Sequence, residues 1–135
     1  MNIELTEKEF RRLLDLVYIG NWVLNSTRGE DRFEDYDIIQ EKLFALCAKN
    51  GMNALITRWH GHIFPSNAYE NGGIHEAIAD YEDAVFFDIL AEELARRDLD
   101  CLDSEPEEYP ELAARMDVYL DEFEKNGIEN LTLEV

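Results

Sequence analysis

Thr6 and Glu9, followed by Phe10, Leu13, Leu14 and Val17, constrain the fold more than any other feature of this chain. A threonine before a helix accepts the amide three residues on, and a glutamate at that third position reaches back to the threonine amide. The apolar residues that follow recur at intervals of three and four as far as Val23 and Leu24, with Glu7, Lys8, Arg11, Arg12 and Asp15 largely opposite. That period belongs to a helix, not a strand. The stretch from Asn25 to Asp31 ends it. Gly20 lies inside the pattern at a cost of about 1 kcal/mol relative to alanine. Close approach of another helix is the expected reason for it.

The same period recurs along the chain. Tyr36, Ile39, Leu43 and Leu46/Cys47 predict a helix over about 33–50, stopped by Asn50-Gly51 with Met52 folding back over the end. Ala84, Phe87, Leu90, Ala91, Leu94 and Ala95 predict another, strong from Tyr81 to Leu99 and beginning near Ile74. Leu112, Met116, Tyr119, Leu120 and Phe123 predict a last helix over about 107–125, entered after Ser104 and stopped by Asn126-Gly127-Ile128. Residues 53–73 lose the period. At roughly 20 residues this irregular loop region is longer than a passive connection requires, and a short extended piece is expected near 55–59 or 62–64. Leu131, Leu133 and Val135 alternate as in a strand, and residues 2–5 alternate too, so the termini can pair in a two-stranded ribbon. The fold class that follows is all-α. It is an irregular four- to five-helix bundle in one domain over 1–135, with room for short terminal β-strands.

Composition narrows the function classes. An apolar fraction of 46% argues for a packed core. The formal net charge is −19, and it is uneven: residues 76–135 carry twenty acids and four bases. Neither a basic patch nor a basic stripe is visible, so direct grip on nucleic-acid phosphates or anionic lipid is not expected. No apolar run reaches the 18 residues of a membrane helix, and the start lacks a basic region followed by an apolar one. The cytoplasm is the expected address. Cys47 and Cys101 match no metal or redox spacing, and Cys47 falls in an apolar helical pattern where a buried free thiol is usual.

All three histidines, His60, His62 and His75, lie within RWHGHIFPSNAYENGGIHE, residues 58–76. His60 and His62 are two apart, which in an extended segment sets them on one face. With Glu70, Glu76 or Asp80 they are candidate ligands for zinc or iron. The pattern matches neither HExxH nor paired ExxH, so polar histidines decorating a loop are the preferred reading, with no cofactor. Ser26, Ser66 and Ser104 sit in apparent turns or caps rather than in a nucleophile elbow. No phosphate-binding glycine loop occurs, and the adjacent acids Glu92-Glu93 and Glu107-Glu108 diverge around a helix. Phe86, Tyr81, Trp59 and Tyr69 either line a small groove or widen the core, the second being preferred.

The run YEDAVFFDILAEELARRDL, preceded by FPSNAYE, and the leading helix LTEKEFRRLLDLVYIGNWVLN resemble small bacterial helical proteins of unknown function. In those an aromatic pair precedes a leucine-rich helix ending in Arg-Asp. The resemblance implies a bacterial helical domain and no activity.

Function therefore turns on charge. Residues 98–124 hold eleven acids against the single base Arg115. The leading expectation is an interaction protein docking on a basic partner surface through Glu107, Glu108, Glu111, Asp117 and Asp121, in its sharpest version a mimic of nucleic acid. Acidity that serves only solubility is the competing reading. A structural homodimer, joined through the aromatic stripe or the terminal strand, is a second expectation. A small metal-dependent enzyme using His60, His62 and His75 is the third.

Overall fold

A computed structural model describes residues 1–100 and 110–134. The described residues are mainly helical, at 70%, with one small two-stranded sheet among them. It divides into two compact units, Met1–Ile78 and Ala79–Val135. Cys101, Ser104, Glu107, Glu108 and Val135, and with them the expected first turn of the last helix, lie outside the described residues.

The first unit opens with α1 (Glu7–Asn25), closed at its start as the capping pair dictates. The Glu9 amide donates to Thr6 Oγ1 at 3.1 Å, and the Thr6 amide donates to Glu9 Oε1 at 2.9 Å. Helix α2 (Glu34–Ala45) follows and runs into a 3₁₀ turn at Leu46–Lys49. Gly51 then takes φ = 71°, and the Met52 amide donates to Cys47 O at 2.9 Å, the stop expected from Asn50-Gly51. Next come β1 (Ile56–Trp59) and β2 (His62–Pro65), which pair antiparallel, Ile56 opposite Pro65 and Trp59 opposite His62. The short helix α3 (Asn67–Tyr69) is capped by Ser66 and passes through a wide turn at Glu70–Ile74 into α4 (His75–Leu99). The core of this unit is Phe10, Leu14, Tyr18, Phe44, Cys47, Ile56, Tyr69, Ile74 and Ile78.

In the second unit, the rest of α4 and α5 (Pro110–Asn126) bury Ala91, Ala95, Leu112 and Phe123. Phe87 packs on Phe123 with ring centroids 5.4 Å apart. Gly127, at φ = 57°, sends its amide back to Phe123 O at 2.9 Å and ends α5 where the sequence places its stop. The Tyr119 hydroxyl donates to Asp98, which also meets Arg97 and Arg115.

Four expectations are corrected. A Cβ on Gly20 would meet nothing within 4 Å, so among the described residues no helix approaches there. Gly20→Ala is then expected to raise the unfolding free energy by about 1 kcal/mol, through the helix propensity alone. An unchanged midpoint in urea would show that the residue has another role. The expected face of α2 is met only in part: Leu43 packs on the core and Cys47, just past the helix, is buried, but Tyr36, Ile39 and Leu46 are exposed and Phe44, off the expected stripe, is buried. The strands are not terminal. Residues 1–6 and 131–134 form no strand, whereas the extended piece expected near 55–59 or 62–64 forms at both places and pairs as a hairpin, because His60 and Gly61 both take positive φ (50° and 78°) and close a two-residue turn locally. Of the aromatic residues assigned to a widened core, only Tyr69 is buried; Trp59, Tyr81 and Phe86 are exposed.

Candidate functional site

The polar side chains of the first unit form a seam along α1, set by its spacing. Tyr18, Asn21 and Asn25 follow Phe10 and Leu14 at intervals of four, three and four, and so turn inward on the same stripe. Asn21 donates to Asp37 Oδ1 at 3.0 Å and to Gln40 Oε1 at 3.1 Å, which makes the join between α1 and α2 partly polar. Asp37 in turn holds Arg32 through two bonds, at 2.7 and 2.8 Å. The Arg32 bond, ahead of that from Asn21, keeps the Asp37 carboxyl below the usual carboxylate range.

The histidines are not brought together. His60 occupies the hairpin turn in a left-handed conformation, its ring 4.1 Å from that of Trp59. His62 faces Glu41 from β2, with Nδ1 3.1 Å from Oε1. The Ile63 amide donates to the same Oε1 at 2.9 Å, and these two bonds, the amide first, hold Glu41 below its ordinary pKa. His75, at the root of α4, meets α1 instead. Its Nε2 lies 2.6 Å from the Tyr18 hydroxyl oxygen, which donates to Glu70 Oε2 at 2.8 Å. Among the described residues no group of three or more His, Cys, Asp or Glu could hold a metal ion. Three imidazoles with three different sets of neighbours do not make one centre.

Tyr18, Glu70 and His75 form the closest cluster of titratable groups in the unit. Tyr18 has one proton, which goes to Glu70, so His75 meets the phenol oxygen best with Nε2 protonated. Burial, then the bond to Glu70, pushes the Tyr18 phenol well above its ordinary value. The neighbouring Tyr69 is built alike: its hydroxyl donates to Asp15 Oδ1 at 2.8 Å, and burial followed by that bond raises its pKa too. Both tyrosines therefore stay neutral and act as hydrogen-bond donors. The cleft beside Tyr18 and Trp22, about 180 Å³, falls below the size of ordinary ligand pockets, roughly 300–1,000 Å³. These groups tie the turn at Glu70–Ile74 to α1; their chemistry is that of a clasp.

Periodicity overlooked Tyr18 because a tyrosine inside a Leu and Val stripe reads as polar relief. The signal that could have found it was its four-residue step from Leu14. Of the carboxylates assigned to a partner surface, Glu111, Asp117 and Asp121 are exposed on α5. Asp117, Asp121 and Glu124, spaced by four and three, run down one flank of the helix. Glu111 stands in its first turn. Among the described residues no helix is long and apolar enough to cross a membrane. No protein-family model, curated protein or solved structure matches the chain.

Proposed function

We propose that this is a cytoplasmic interaction protein whose acidic second unit docks on a basic partner surface. The observation that carries the reading is the row Asp117, Asp121 and Glu124 on the exposed flank of α5. Arginines that could neutralise that row are engaged elsewhere in the unit: Arg96 with Glu92 at 2.7 Å, Arg97 with Asp98 at 2.8 Å, and Arg115 with Asp98 at 3.6 Å. Carboxylates one helical turn apart concentrate negative potential along a line. Such a line speeds encounter with a cationic surface and orients it.

The test reverses that row. A chain carrying Asp117→Lys, Asp121→Lys and Glu124→Lys is compared with the native chain in capture from the source cell. Native chain is expected to retain basic proteins at low salt and release them as the Debye length falls below about 10 Å. The reversed chain should retain at least about tenfold less, with an unchanged helical spectrum. Glu111 stays in place because lysine in the first turn would also oppose the helix dipole. Equal retention by both chains would sink the docking function and leave the charge to solubility.

A further inference from the structure

The small sheet has an edge open at Arg58, the Ile56 amide on the same edge donating to Asn53 O. Ile63 sends its amide to Glu41, away from β1, and stands opposite Arg58. The Arg58 and Ile63 pair therefore exchanges no ladder bond, and the Arg58 N–H and C=O point off the far side of β1. Among the described residues no strand pairs there, since the sheet consists of β1 and β2 alone. Along this edge Thr57 and Trp59 occupy one face and Arg58 the other. Trp59 is 65% exposed. An open edge of this kind accepts an added strand.

A matching strand exists in the chain itself. Residues 131–134, Leu-Thr-Leu-Glu, alternate as a strand does, yet sit in no strand; the Leu131 amide donates to Ile128 O at 3.0 Å, and Leu131 is 42% and Leu133 88% exposed. The two faces correspond. In the register that sets Glu134 opposite Arg58, Leu131 and Leu133 fall on the face of Thr57 and Trp59, and Thr132 and Glu134 on the face of Arg58. Charge points the same way: from Lys42 through Tyr69 the chain has no acidic residue, its longest stretch without one. Two chains of net charge −19 repel at long range. At about 0.15 M salt the Debye length is about 8 Å, so only charges beside the contact count. Around Arg58 these favour an acidic strand.

We propose that residues 131–134 of a second copy add to the edge of β1 at Arg58. Each copy gives one strand and receives one, which closes the assembly as a symmetric dimer. This goes beyond the docking function above and uses a different surface.

The experiment is the mass of the full chain in solution at about 0.15 M salt, measured against concentration by light scattering. The expected mass rises to twice 15.7 kDa. Arg58→Pro removes the edge amide at a position where an edge strand tolerates proline, and Leu133→Asp removes the apolar contact. Each should raise the dissociation constant at least about tenfold while the helical spectrum stays the same. Arg58→Glu should weaken the dimer, and adding Glu134→Arg in the same chain should restore it. A monomer at every concentration overturns the proposal, as does a dimer indifferent to Arg58→Pro and Leu133→Asp. Failure of the charge swap to restore association overturns the pairing of Glu134 with Arg58.

Discussion

Phe44→Ala is expected to destabilise the first unit by about 3–5 kcal/mol, the usual cost of emptying a buried phenylalanine site. Phe44 is fully buried, and its ring meets Tyr69 edge-on with centroids 5.0 Å apart. Tyr69 is fully buried too and packs edge-on against Tyr18 at 5.3 Å. Removing Phe44 therefore leaves a void against the Tyr69 ring, whose hydroxyl is fixed by Asp15 and cannot follow it inward. A small domain has only about 5–15 kcal/mol of stability in all, so the variant should be largely unfolded in mild urea. Both tryptophans, Trp22 and Trp59, belong to Met1–Ile78, so their fluorescence follows this unit alone. A loss below about 1 kcal/mol would mean that Phe44 is not at the centre of the core.

Asn25→Ala is expected to cost about 2–4 kcal/mol, although it removes little apolar contact. Asn25 is 1% exposed. Its Nδ2 donates to Asn21 Oδ1 at 2.6 Å and to Phe33 O at 3.0 Å, and its Oδ1 accepts the Phe33 amide at 2.8 Å. One side chain thus satisfies both backbone groups of the residue that precedes α2. Alanine leaves them without partners at a partly buried position, where an unmade bond costs far more than a made one contributes. Asn25→Leu should be no better, since it fills space but restores no bond. The local readout is amide exchange at Phe33, which should accelerate in both variants. Unchanged protection of that amide would show that Asn25 does not hold the loop.

Local chemistry was legible in the sequence and partner choice was not. The capping pair Thr6 and Glu9, and the stops at Gly51 and Gly127, rest on bonds between residues at most five apart. Such bonds form wherever the chain is helical, so helix starts and stops follow from residue types alone. The buried thiol of Cys47 was legible for the same reason, as one step in an apolar stripe. His60 and Gly61, set between β-branched and aromatic neighbours, also carried a readable hairpin signal.

Which face of α2 turns inward was decided only by the tertiary structure. Hydrophobic periodicity assumes an apolar seam, whereas Asn21 and Asn25 draw Asp37, Gln40 and the Phe33 backbone toward α1. With those bonds made, Phe44 goes in while Tyr36 and Ile39 stay out. The histidines show the same division. Their closeness in sequence left one centre open as the lesser reading, but His75 found Tyr18, 57 residues away, and His62 found Glu41, 21 away. Sequence determined the start of α1 and the stops at Gly51 and Gly127, because those energies are local. Tertiary structure alone decided which polar groups meet, because a buried hydrogen bond selects its partner by position in space, whatever the distance along the chain.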